Sequence, residues 1–111
     1  MSDLAKQTCE PCRSGAPPME LSQQEELLGM LSDGWSVIAH HHLQKEWHFD
    51  DFAQALSFVN RVGELAEEMG HHPNISFTWG YCKIEIWTHK IDGLHLADFV
   101  LAARIDETAD A

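Results

Sequence analysis

The amino-acid sequence predicts an α+β domain: a four-stranded antiparallel sheet with three helices on one face, in the order αββαββα. Three stretches of the chain repeat apolar residues at helical spacing, and four others have the alternation or the β-branched composition of strands. The connections inside each pair of strands are short, which forces hairpins and therefore an antiparallel sheet. At 111 residues the chain is long enough for one such domain and too short for two.

The N-terminal segment differs in composition from the rest of the chain. It contains the runs Cys-Glu-Pro-Cys and Gly-Ala-Pro-Pro, and it has neither a helical nor a strand period. We therefore expect a flexible arm over residues 1–20 and a folded domain over residues 21–111.

The first helix is predicted over residues 23–32. Ser22 and Glu25 match a capping box, in which two side chains satisfy backbone N–H groups at the start of a helix. Two strands are predicted next, over residues 35–39 and 43–49, because apolar residues alternate along the second of them. The run His40-His41-His42 lies between these strands and is interpreted as a solvated hairpin tip.

The second helix is the longest predicted element. Asp50 or Asp51 can cap its start, Gly70 is a good C-terminal stop, and Pro73 forbids continuation. The apolar positions that recur at helical spacing are Phe52, Ala55, Leu56, Val59, Val62, Gly63, Ala66 and Met69.

A second strand pair, over residues 75–79 and 83–88, precedes a final helix over residues 95–108. That helix is apolar on more than one side, because Ala97 and Leu101 lie off its main apolar face. A helix of this kind usually has a second partner. In so small a protein we expect that partner to be another subunit.

Composition excludes several classes of function. The sequence has 7 Lys and Arg against 18 Asp and Glu, a net charge of -11, which disfavours binding to nucleic acid or to an anionic membrane surface. No stretch approaches the roughly 20 apolar residues of a membrane span, and residues 1–10 lack the apolar run of a signal peptide, so a cytoplasmic location is expected. The three cysteines are expected to be reduced thiols.

The histidines are the candidate catalytic groups. His71 and His72 follow the longest predicted helix, and His89 ends the fourth predicted strand. Imidazole titrates near neutrality and can both give and take protons. Asp98, one turn into the last helix, can orient an imidazole by accepting its N–H.

These residues carry a family resemblance. The run Glu67-Glu68-Met69-Gly70-His71-His72-Pro73, then five residues to Trp79, nine to His89 and eight to Asp98, resembles the signature of the pterin-4a-carbinolamine dehydratases. The similarity covers roughly residues 20–108. The segment after Pro73 reads Asn-Ile-Ser-Phe, where many members begin with Glu-Trp.

The resemblance implies an activity: 4a-hydroxytetrahydropterin dehydratase, which forms quinonoid dihydropterin after aromatic amino-acid hydroxylation. It implies a pterin substrate, an aromatic amino-acid hydroxylase as the associated enzyme, a homodimer or homotetramer, and no metal or redox cofactor. His71 and His89 are then expected to transfer protons, with the acid and the base left open. His72 would bind the substrate or share the acid–base work. Substrate binding and orientation are expected from Glu67, Pro73, Trp79 and Asp98.

Two other classes of function compete with the enzyme. One is a regulatory or dimerisation module that shares the fold and uses helical surfaces. The other is a metal-binding protein, because Cys9 and Cys12 have zinc-ligand spacing. A structural zinc site needs four ligands, and no second paired motif follows, although Cys82 and the histidines offer further donors.

Overall fold

The computed structural model describes residues 19–110, without the side chain of Asp110, and confirms the predicted element order. The helices and strands are α1 Leu21–Leu28, β1 Ser36–Ile38, β2 His42–His48, α2 Phe52–Met69, β3 Asn74–Thr78, β4 Tyr81–Ile86 and α3 Leu96–Asp110. A 3₁₀ turn, His89–Ile91, lies between β4 and α3. The predicted arm lies outside the described residues except for its last two.

The four strands form one antiparallel sheet in the order β1-β2-β4-β3, which confirms the predicted sheet. β4 is central, with β2 on one side and β3 on the other. Its residues alternate strictly: Cys82, Ile84 and Ile86 are fully buried, and the residues between them are half-buried. One face of the sheet therefore carries the core and the helices, as the alternation predicts.

The prediction that another subunit covers the far side of α3 is wrong. Ala97 is 6% exposed and Leu101 is fully buried within the chain itself. α3 packs against α2 and β2, and apolar side chains from α1 and the segment after it join the same core. The helix is apolar on several sides because it runs through the centre of the domain.

The predicted capping box of α1 is also wrong. The helix begins at Leu21, its N-cap is Glu20, and no side chain caps it. Gln24 is buried and donates to the carbonyl oxygens of Met19 (3.1 Å) and His40 (3.3 Å). Backbone pairing of Met19 with Leu94 also fixes the chain before the helix. These non-local bonds set the start of α1, and Ser22 lies inside it.

α2 begins and ends where its capping residues predict. The Asp51 side chain accepts from the backbone N–H of Gln54 at 2.8 Å, and Gly70 ends the helix with φ 64°. The buried face is rotated from the predicted one: it includes Phe58, whereas Phe52 and Leu56 are exposed.

The β1–β2 connection is a tight turn with a strained backbone. The His41 N–H donates to the Ile38 carbonyl at 2.9 Å, and the two central residues, Ala39 and His40, have φ of 52° and 56°. Such two-residue turns normally carry glycine or asparagine, because a β-carbon is unfavourable at positive φ.

Candidate active site

The predicted histidines lie at one end of the sheet. β4 runs antiparallel to β3, with Asn74 opposite Glu85, so the segment before β3 lies beside the residues that follow β4. His71, His72 and Pro73 therefore lie at the sheet end where β4 continues into His89. Sequence spacing alone leaves this juxtaposition open, and the register decides it.

His71 is held by a buried carboxylate. Its Nε2 lies 2.6 Å from Oδ1 of Asp98, whose side chain is fully buried at the start of α3. The other oxygen of Asp98 accepts from the Thr88 hydroxyl and the His95 backbone N–H, each at 2.8 Å. An ionised carboxylate can only accept hydrogen bonds, so with Asp98 ionised the Nε2–H of His71 is the donor in this contact. In the neutral ring, Nδ1 is then free to accept a proton.

His72 has a carboxylate partner of a different kind. Its Nε2 lies 2.5 Å from Oε2 of Glu67, in the last turn of α2. Both side chains are exposed, Glu67 by 78%, so water competes for this pair.

His89 is exposed and stacks on Trp87. The two ring centroids are 4.4 Å apart, and the rings are tilted by 8°. His89 opens the 3₁₀ turn, whose base is closed by backbone hydrogen bonds between Thr88 and Gly93 of 2.9 and 3.4 Å. Since the Thr88 hydroxyl binds Asp98, the same segment is linked to both His71 and His89.

Within this chain, Trp79 lies apart from the other predicted site residues. It lies in the turn between β3 and β4 and is 66% exposed. β3 separates it from Pro73 by about 20 Å along the strand. The histidines, Glu67, Pro73 and Asp98 lie at the opposite end of β3.

Sequence reasoning missed the residues on the other side of β4. Leu43 of β2 pairs with Ile86, which brings His41 and His42 beside Trp87. Their rings lie 5.3 and 5.8 Å from the Trp87 ring, and both are half-buried, whereas His40 is exposed as expected of a hairpin tip. Burial lowers the pKa of His42, an effect that the Glu85 carboxylate opposes. The signal that could have found them is the alternation of β4 combined with its pairing to β2.

Within residues 19–110, no group of three or more His, Cys, Asp or Glu side chains is arranged to hold a metal ion. Cys82 faces the core, and burial raises the pKa of its thiol to about 11, so it is protonated at neutral pH. Cys9 and Cys12 lie outside the described residues. None of the described helices is long and apolar enough to cross a bilayer.

The sequence and the fold match a known family. The family model described as pterin 4 alpha carbinolamine dehydratase matches residues 17–108. The chain belongs to this family. A relative from Rubrobacter xylanophilus is 52% identical over 106 residues, covering 96% of this chain and 98% of its own. One from Alkaliphilus metalliredigens is 45% identical over 107 residues, covering 96% of each chain. Both bear the name pterin-4-alpha-carbinolamine dehydratase provisionally.

Two solved structures share the fold of this dehydratase family member. One, from Brucella melitensis, is described as a transcriptional coactivator/pterin dehydratase. It is 25% identical with a TM-score of 0.78, covering 83% of this chain and 98% of its own. The other is a pterin dehydratase-like protein identified as a RuBisCO assembly factor in the alpha-carboxysome. It is 30% identical with a TM-score of 0.61, covering 70% and 92%.

Proposed function

We propose that the protein is a 4a-hydroxytetrahydropterin dehydratase, which removes water from the 4a-carbinolamine by histidine acid–base catalysis. The C4a–O bond breaks as the leaving hydroxyl takes a proton, and a ring nitrogen of the pterin loses one. The products are water and quinonoid dihydropterin. One group must give a proton while another accepts one, and each such transfer contributes roughly 10²–10⁴-fold to the rate.

The buried Asp98 carboxylate beside His71 is the observation that carries the proposal. A carboxylate that fixes the tautomer of an imidazole prepares the other ring nitrogen for proton transfer. Asp98 is fully buried and accepts three hydrogen bonds, so its position is set by α3 and by the end of β4. Asp98 thus acts by orienting His71.

We assign proton transfer to His71 and His89, because both lie at the same sheet end and their segments meet through Thr88 and Asp98. His72, paired with Glu67, binds the pterin or shares in the proton transfer. Pro73 fixes the backbone beside His72. Trp79 would reach the pterin of this site only if it came from a neighbouring copy of the chain.

The test follows the decay of the 4a-carbinolamine absorbance in the presence of purified protein. Wild-type protein should accelerate this decay, and His71→Ala combined with His89→Ala should abolish the acceleration. His48→Ala is a matched control, since His48 is an exposed histidine at the far end of β2. Wild-type protein that is no faster than buffer would refute the activity.

A regulatory or dimerisation role is the second candidate function. It is supported by the two similar structures, one described as a transcriptional coactivator and the other as an assembly factor. Phe52, Leu56 and Trp79 are large apolar side chains that are 45%, 38% and 66% exposed, and such groups often mark contact surfaces. A homodimer or homotetramer would also use them. Light scattering of Phe52→Ser/Leu56→Ser protein tests the homo-oligomer. A defined partner whose binding survives His71→Ala would support the regulatory role.

A further inference from the structure

We propose that His41 and Asp92 are positioning residues for the His89 imidazole. They hold it through Trp87 and through the 3₁₀ turn that His89 opens. This inference rests on the proposed function, because it takes His89 as a group that meets the substrate.

The His89 ring needs support from outside its own turn. It is exposed, and the contact that the structure describes for it is the stack on Trp87, with ring centroids 4.4 Å apart. An exposed side chain that is free to change rotamer loses the alignment that proton transfer requires. Whatever fixes Trp87 and the 3₁₀ turn therefore fixes His89.

His41 contacts both supports of His89. Its ring centroid lies 5.3 Å from that of Trp87, on which His89 stacks. Its Nε2 lies 2.7 Å from Oδ1 of Asp92, the residue that ends the 3₁₀ turn and whose backbone N–H donates to the His89 carbonyl at 3.2 Å. Two separate routes, one through a ring and one through a hydrogen bond, thus run from His41 to His89.

The Asp92 side chain is 85% exposed, so water competes for its bond to His41, and the ring contact with Trp87 is the firmer of the two routes. Nδ1 of His41 lies 3.0 Å from Nδ1 of His42, and Nε2 of His42 lies 3.3 Å from Oε2 of Glu85. These contacts lie on the other side of the His41 ring and help to fix its orientation toward Trp87 and Asp92.

The hairpin that presents His41 is strained and externally held. Ala39 and His40 both have positive φ, a backbone conformation that is unfavourable for residues other than glycine. The buried Gln24 side chain of α1 donates to the His40 carbonyl and ties the turn to the helix layer. Such strain persists where surrounding structure enforces it, and here it directs His41 and His42 toward Trp87.

The test compares His41→Ala and Asp92→Asn with His40→Asn. His40 belongs to the same histidine run but is exposed, and asparagine tolerates positive φ, so it serves as a matched control. One readout is the NMR chemical shift of the His89 ring protons, whose resonances are assigned by their loss in His89→Gln. The stacked indole of Trp87 displaces these resonances upfield. The other is kcat and KM for carbinolamine dehydration.

We expect His41→Ala to move the His89 ring protons downfield and to lower kcat about 10- to 100-fold, with little change in KM. Asp92→Asn should act in the same direction more weakly, because an amide oxygen still accepts a hydrogen bond but carries no charge. His41→Gln should restore part of kcat, since its amide can donate to Asp92 but offers no ring to Trp87. His40→Asn should match wild type in both readouts.

Unmoved His89 resonances in His41→Ala would overturn the proposal, and so would displaced resonances with an unchanged kcat. If wild-type protein does not dehydrate the carbinolamine at all, the proposed function fails separately. The NMR comparison of His41→Ala with His40→Asn then still decides whether His41 positions His89.

Discussion

His71 and His72 are adjacent in the chain, and each contacts a carboxylate, yet the two pairs differ in burial. The His71–Asp98 and His72–Glu67 contacts measure 2.6 and 2.5 Å. Asp98 is fully buried and accepts two further hydrogen bonds, whereas Glu67 is 78% exposed. The two contact distances are nearly equal, so distance alone does not show which pair contributes more to stability. The buried carboxylate fixes its imidazole, while solvent competes for the exposed one.

The largest effect is expected for Asp98→Ala. The change strips a buried carboxylate from the His71 ring, the Thr88 hydroxyl and the His95 N–H. Removing one partner of a buried ionic network typically costs about 3–5 kcal/mol. Urea unfolding should show a loss of this size, and a loss below about 1 kcal/mol would contradict the importance of burial. If Asp98→Ala does not fold, the isosteric Asp98→Asn provides the same comparison.

Thr88→Val should have the next largest effect. Valine keeps the shape and removes the hydroxyl that donates to Asp98 at 2.8 Å. A hydrogen bond to a charged group contributes about 1.5–3 kcal/mol. We expect a loss of unfolding free energy in this range. Thr78→Val at the far end of β3, an exposed threonine, is the control and should change stability little.

An exposed residue can still affect the stability of the domain where its backbone is strained. His40→Gly should raise the unfolding free energy by about 1 kcal/mol, because glycine adopts positive φ without steric cost. Thermal unfolding measures the gain. A decrease would mean that the freedom of glycine in the unfolded chain outweighs the relieved strain.

Glu67→Gln should have the smallest effect on stability. The pair with His72 is exposed on both sides, and such pairs contribute from nothing to about 1 kcal/mol. We expect a change below about 0.5 kcal/mol that shrinks further in high salt. A loss as large as that of Thr88→Val would remove the distinction between the two histidine pairs.

Local signals predicted the parts of the fold that local forces determine. Asp51 and Gly70 bound α2 because a cap acts on the nearest turn of backbone. The start of α1 escaped prediction because Gln24 bonds to a carbonyl 16 residues away. The sequence pattern that resembles the family also named His71, His89 and Asp98. It led us to expect that Asp98 orients an imidazole, but it did not show that this imidazole belongs to His71.

Two placements at the site depend on strand pairing and so could not be derived from spacing. Trp79 follows β3 and lies at its far end, whereas His41 precedes β2 and lies beside Trp87. The register of a strand pair depends on residues that are far apart in the sequence. A shift of one residue would move every side chain of the strand to the opposite face of the sheet. The role of Leu101 was also misjudged, because an all-round apolar helix suits a domain centre as well as a subunit contact.

The central position of β4 has a consequence for local motion. Strands hydrogen-bonded on both sides and covered by core open to solvent mainly through global unfolding, so the amides of Cys82 and Ile84 should exchange with deuterium very slowly. Three residues after the end of this strand, the same chain carries the exposed His89. The proposed proton-transfer group is thus attached almost directly to an interior strand of the sheet, and an abrupt fall in exchange protection should occur between Ile84 and His89.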